Sequence, residues 1–260
     1  MTLHVAHHRI APRRTVTAPR MRIAVLADLH GCSPGITEAR IAGIVDQVQA
    51  LDADMICLLG DYVGHSWGTR SLTPPEVVPH LARLIAPLGV HAIMGNHDWK
   101  DDPAARRARA ADTVWHRALA EAGLPPLTNE SRQLEVDGTP FTLAGLESQR
   151  AYTRKEGGDD IDAALAGTDP GQFTILLAHE PDIFARLPDH VDLTLAGHTH
   201  AGQIRIAGRP WVVPSRFGRR YAHGHVTEGH RQMIVSAGIG YSGPPIRLFC
   251  PPELNLIEIA

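Results

Sequence analysis

Seven side chains with the chemistry of hard metal ligands recur at comparable places along this 260-residue chain: Asp28, His30, Asp61, Asn96, His179, His198 and His200. Each lies one to four residues past the end of a short apolar run, and no cysteine is among them. Carboxylate, amide and imidazole donors without thiolate suit Mn, Fe, Zn or Ni better than a structural zinc site, and Mg less well because imidazoles are many. Seven donors are too many for one open catalytic ion; they suit two ions ~3.5–4 Å apart that share a bridging carboxylate. Such a pair can hold a bridging hydroxide, nucleophilic at neutral pH, while both ions neutralise charge on a phosphoryl group. The natural chemistry is phosphoester hydrolysis.

The apolar runs read as the strands that position these groups, because the carboxyl ends of strands are where an open α/β sheet gathers its site. The run within Arg22–Ala27 ends in Asp28-Leu29-His30-Gly31, Met55–Leu59 ends in Gly60-Asp61, and Val90–Met94 ends in Gly95-Asn96-His97-Asp98. Helical spacing connects them, through Ile36, Ile41, Ile44, Val45, Val48 and Leu51, then through Leu81, Leu84, Ile85 and Leu88 over 77–88. Residues 103–122 are Ala- and Arg-rich and read as a helix, and 128–146 as a hairpin turning at Asp137-Gly138. After a polar excursion over 150–171, Phe173–Ala178 ends at His179 and Asp192–Ala196 ends in Gly197-His198-Thr199-His200. Short apolar stretches near 203–206, 211–213, 232–236 and 254–259 predict a second, more antiparallel sheet. The expected fold class is α/β, two stacked mixed β-sheets flanked by helices. One domain is expected over 21–260, behind a basic N-terminal arm or edge strand over 1–20.

Composition narrows the partners. A content of 43% hydrophobic and 20% charged residues is that of a soluble globular chain, and a net charge of -3 gives no case for nucleic acid. Cys32, Cys57 and Cys250 form neither a disulfide framework nor a zinc ribbon, so a reducing compartment is the default. No apolar run approaches the ~20 residues that span a bilayer, and Arg13-Arg14 is not followed by the apolar core of a signal peptide. A cytoplasmic protein is expected. Arg9, Arg13, Arg14, Arg20 and Arg22, in a stretch without acidic residues, leave peripheral membrane contact open.

Asp28-x-His30, Gly60-Asp61, Gly95-Asn96-His97-Asp98, a lone His179 and Gly197-His198-Thr199-His200 occur in this order. Together they resemble the calcineurin-like metallophosphoesterase superfamily, over roughly residues 21–260. The resemblance implies a four-layer sandwich with a dinuclear metal site at the strand ends, holding divalent or trivalent Mn, Fe or Zn. Asp28, His30 and His200 would hold one ion, Asn96, His179 and His198 the other, and Asp61 would bridge. His97 would protonate the leaving oxygen, and Asp98 would orient that imidazole. Gly60-Asp61-Tyr62-Val63, His179-Glu180-Pro181-Asp182, His198-Thr199-His200-Ala201-Gly202-Gln203 and Phe217-Gly218-Arg219-Arg220-Tyr221 are similar to a bacterial phosphodiesterase branch that includes UDP-diacylglucosamine pyrophosphohydrolases. That branch implies a phosphodiester or pyrophosphate substrate, such as a nucleotide-sugar or lipid-linked phosphate. The chain departs from it in showing no N-terminal membrane anchor and in carrying Ala201 where Gly is usual.

Plainer readings stand beside these. Asp28 and Asp61 taken singly read equally as helix caps. Tyr62, Trp67 and Trp99 shape a cleft or pack a core. Arg106, Arg107, Arg109, Arg216, Arg219 and Arg220 read first as solvated faces; Tyr62, Arg219 and Arg220 are kept as candidate substrate contacts. A phosphomonoesterase of the protein-phosphatase kind is the alternative, weakened because Gly64-His65 stands where that group carries Asp-Arg. A non-catalytic scaffold would be expected to have lost ligands, and all seven are here.

Overall fold

The computed structural model describes residues 3–260. Its core is two stacked mixed sheets. The first has the order His4–Ile10, Glu253–Ile259, Met21–Leu26, Met55–Leu58, Val90–Ala92. The last three strands run parallel, Glu253–Ile259 is antiparallel to Met21–Leu26, and His4–Ile10 lies parallel to Glu253–Ile259 at the edge. The second has the order Gly224–Glu228, Arg231–Val235, Leu193–Ala196, Phe173–Leu177, Thr139–Gly145, Glu130–Val136. Its four inner strands are parallel and its two edges antiparallel.

Side-chain alternation along each strand explains the layering. Ile23, Val25, Met55 and Cys57 point between the sheets, against Phe141, Leu143, Phe173, Ile175 and Leu195. Ala24, Leu26, Ile56 and Leu58 point outward, against helices Glu38–Gln49, Pro74–Leu81 and Val114–Glu121. Met55–Leu58 and Leu193–Ala196 are buried throughout, as central parallel strands covered on both faces must be. The outer face of the second sheet is covered more thinly, by Ile183, Phe184, Leu187 and Tyr221 on short helical turns.

Five expectations change. Residues 254–259 belong to the first sheet, and 211–213 form no strand. The second sheet, expected to be the more antiparallel of the two, is parallel across its four inner strands and antiparallel only at its edges. The expected helix over 77–88 runs from Pro74 to Leu81, because Thr73 and Glu76 form a capping box that starts it early. The Ala/Arg-rich stretch divides into Pro103–Ala108 and Val114–Glu121: Arg109 adopts a left-handed conformation, and Asp102 accepts from both Ala105 and Val114 N–H. The basic N-terminal stretch is anchored as well. The Arg14 guanidinium meets both oxygens of buried Asp192 at 2.8 and 2.7 Å and three backbone carbonyls. No helix among the described residues is long and apolar enough to cross a membrane.

Candidate metal centre

The strand ends deliver their side chains through sharply turned backbone. Asp28, His30, Asp61, His198 and His200 all have φ between 48° and 68°, the left-handed region that residues with a Cβ rarely visit. Loop-to-loop hydrogen bonds hold them there: His30 N–H to Asp61 O at 2.9 Å, Gly31 N–H to Tyr62 O at 2.8 Å, and Gly240 N–H to Asp28 O at 2.8 Å. Two motif glycines permit the approach. A Cβ on Gly60 would strike the Gly95 backbone, and one on Gly95 would strike the Asp61 carboxylate.

The arrangement brings six of the seven residues together in two groups, and Asn96 lines the same cleft as Asp61 and His198. Asp28, His30 and His200 offer donor atoms within 4.8 Å of one another, and so do Asp61, His179 and His198. Asp61 Oδ2 stands between the groups, 3.5 Å from His30 Nε2 and 3.2 Å from His179 Nε2. Its Oδ1 accepts from His97 N–H at 2.7 Å. Backbone carbonyls fix two of the rings: His30 Nδ1 faces Val63 O at 3.1 Å and His179 Nδ1 faces Leu59 O at 2.7 Å, turning each Nε2 inward.

The donor set fits metal ions on physical grounds. Asn96 Oδ1 and His198 Nε2 are buried atoms with no hydrogen-bond partner, and such orphans are costly unless something else meets them. His30 Nε2 lies 3.0 Å from His200 Nε2, while Arg247 approaches His200 Nδ1 at 3.1 Å. One proton therefore sits between the two rings, and a cation there would displace it. Burial pushes His30 down to about 4 and His198 and His200 well below the ordinary imidazole range, leaving neutral rings. Burial, opposed by His179 and reinforced by the Asp61 charge, raises Asp28 to about 7. That is the signature of a buried carboxylate whose charge is under-compensated, which a cation would relieve.

Asp98 does not orient His97. Its Oδ2 accepts from Asp61 N–H and Gly95 N–H, both at 2.9 Å, and its Oδ1 from Tyr62 N–H at 2.8 Å and Val63 N–H at 3.3 Å. The carboxylate is wholly buried and pins the Asp61 loop to the Gly95 turn. The His97 ring instead places Nδ1 3.0 Å from His65 Nδ1 and Nε2 3.4 Å from Ser242 Oγ, while His65 Nε2 reaches Asp101 at 3.5 Å.

A cleft of about 630 Å³ opens over this centre, with Asp61, Asn96, His97, His198 and His200 in its floor. Lys100, Arg106, Arg150 and Arg154 stand on its wall, with exposed Trp67 at its rim. None of the three substrate-contact candidates lines it. Tyr62 is buried, its hydroxyl donating to Ile93 O and its ring stacked on Trp115. Arg220 pairs with Glu228 at 2.8 Å, and Arg219 shares its short turn. Trp99 is likewise core, its indole N–H donating to buried Glu147. Sequence reasoning missed Arg150 and Arg154, whose one signal was two cations four residues apart in a polar excursion.

Residues 21–202, more than half of the chain, match the family model for calcineurin-like phosphoesterases. A Caenorhabditis elegans chain assigned to the metallophosphoesterases, F40B5.2, is 30% identical over 248 residues, 91% of this chain and 48% of that one. The uncharacterized metallophosphoesterase YkuE of Bacillus subtilis is 29% identical over 240 residues, 92% of this chain and 78% of that one. The chain thus spans about half the length of the first relative and most of the second. A solved structure, a dimetal phosphatase from Danio rerio, is similar with a TM-score of 0.49 at 13% identity, covering 85% of this chain and 88% of that one. The match across five motif-bearing strand ends and the family model that spans them make this chain a member of the calcineurin-like phosphoesterase family.

Proposed function

We propose that this chain is a metal-dependent phosphoric ester hydrolase that cuts phosphodiester or pyrophosphate bonds. The observation that carries the reading is Asp61 Oδ2 standing between two donor groups whose inward atoms include buried orphans. Asp28, His30 and His200 would hold one ion, Asn96, His179 and His198 the second, with Asp61 shared. When bound, the two ions would supply Lewis-acid activation of water and of the phosphoryl oxygens. His97, in the cleft floor, is the candidate proton donor to the leaving oxygen. Burial pushes its ring down to about 3, opposed by Asp61 and reinforced by His30, His65 and Lys100, so the free site keeps it neutral. An arriving phosphoryl anion adds negative charge and favours its protonation. Lys100, Arg106, Arg150 and Arg154 would hold further anionic groups.

Phosphomonoester hydrolysis is the second reading, favoured by one observation: Arg150 and Arg154 bring to the cleft guanidiniums of the kind that the Gly60–Ser66 motif lacks. The test is a metal-reconstituted comparison of aryl diesters, aryl monoesters and nucleotide-sugar pyrophosphates. Diester or pyrophosphate turnover should lead, vanish with chelator, and return with Mn. Asp61→Ala should lose about two bound ions per chain together with activity; turnover that survives it refutes the shared-carboxylate site.

A further inference from the structure

Exposed apolar side chains gather on one rim of the cleft. Ile206 lies on the ribbon Arg205–Ile206/Arg209–Pro210, and Trp211 and Val212 follow it, Trp211 72% exposed. Arg205 N–H donates to Leu248 O at 2.9 Å and Leu248 N–H to Gln203 O at 3.0 Å, which sets exposed Ile246 and Phe249 beside the ribbon. Trp67 N–H donates to Gly243 O at 2.9 Å and extends the same rim. Phe249 is 78% exposed and has φ +51°, so the backbone is held in a strained conformation that presents a phenyl ring to water.

The segments that build this rim carry charge of one sign, although Arg216 N–H donates to Asp182 of another segment. No Asp or Glu occurs between Asp192 and Glu228 or between Glu228 and Glu253, while Arg205, Arg209, Arg216 and Arg219 lie in the first interval. An apolar groove of about 350 Å³, lined by Ile204, Trp211, Val212, Pro214 and Pro244, leads inward to His200 and Ser242, which also line the central cleft. Aromatic and aliphatic side chains beside Arg205 and Arg209, on a ribbon whose own segment holds no carboxylate, make a surface that suits the headgroup–acyl boundary of an anionic bilayer. A second copy of the chain fits less well. A two-fold contact would bring Arg205 and Arg209 onto an equally basic rim with no carboxylate to meet them.

We propose that this rim docks on the surface of an anionic lipid bilayer. Ile206, Trp211 and Phe249 enter the boundary, the arginines meet lipid phosphates, and the groove opens from hydrocarbon into the cleft. The docking half stands on the rim alone; delivery of a lipid-linked phosphoester through the groove rests on the hydrolase reading above. The test is flotation of the purified full chain with mixed phosphatidylglycerol–phosphatidylcholine vesicles and with phosphatidylcholine alone. The chain should float with the anionic vesicles and at least about tenfold less with the neutral ones, as electrostatic plus apolar docking requires. The double variant Ile206→Asp/Phe249→Asp should lose about tenfold in binding, while its unfolding midpoint and its turnover of a soluble aryl diester stay unchanged. Vesicle binding in a protein that hydrolyses no phosphoester would leave the docking surface standing and the hydrolase reading refuted. Four results overturn the surface: a wild type that does not float, equal flotation with neutral vesicles, equal flotation of the double variant, or a solution dimer that the double variant dissolves.

Discussion

Replacing Asp98 by Asn changes one oxygen to an amino group, in a place where only hydrogen-bond donors face the side chain and where burial and the Asp61 charge push the carboxyl up to about 8. The four surrounding N–H groups belong to Asp61, Tyr62, Val63 and Gly95. An amide offers a single acceptor oxygen, so either the Asp61/Gly95 pair or the Tyr62/Val63 pair is left facing an NH2. Two buried donors without acceptors cost roughly 1–3 kcal/mol each. Relief of repulsion between Asp98 and Asp61 offsets a part, for a net loss on the order of 2–4 kcal/mol against a typical total of about 5–15. Denaturant unfolding of both proteins in chelator measures the cost directly, and metal stoichiometry after reconstitution reports whether the Asp61 loop has loosened. The expected result is a lower midpoint and weaker metal retention. Stability within about 0.5 kcal/mol of wild type, with turnover lost only for poor leaving groups, would refute the argument, because an orienting partner of His97 would give that pattern.

Arg14→Met should destabilise by on the order of 3 kcal/mol, because it strands the Asp192 carboxylate, 1% exposed, without its cation. Adding Asp192→Asn should recover much of that loss in denaturant unfolding. Glu253 gives a pH-dependent counterpart. Burial would raise its carboxyl, but the hydrogen bond and charge of His223 and the Ala237 N–H hold it below the ordinary value of 4.5. A depressed carboxyl contributes stability that is present above its unfolded pKa and lost as pH falls through the folded one. Glu253→Gln, unfolded in chelator, should therefore cost stability at pH 7 and progressively less below pH ~4.5; a cost independent of pH would contradict the pairing.

The strand tips were legible because parallel strands buried on both faces leave unbroken apolar runs, and the residue after each run carries the chemistry. Asp28, Asp61 and His179 could be placed on that ground before any coordinate. The sheet to which 254–259 belongs was not legible, since its alternating pattern buries equally well against either sheet and the register with 21–25 is a long-range fact. The break at Arg109 carries no Gly or Pro signal. The partners of Asp98 were hidden for a different reason. A carboxylate next to an imidazole in sequence suggests a pair, yet the short helix Asn96–Lys100 turns the two side chains apart, and three of the carboxylate's four partners are backbone groups 35 to 37 residues away. Likewise Arg150 and Arg154 reach the cleft only because the polar excursion folds back over the centre.

The left-handed strand tips set a conflict between durability and work. Each of Asp28, His30, Asp61, His198 and His200 holds a conformation that costs a residue with a Cβ on the order of 1 kcal/mol and glycine almost nothing. Glycine at any of these positions would relax the chain while deleting the donor atom. Selection for heat resistance alone would therefore drift toward erasing the centre, and consensus or directed-evolution campaigns on this scaffold need a metal-retention screen running beside the thermal one.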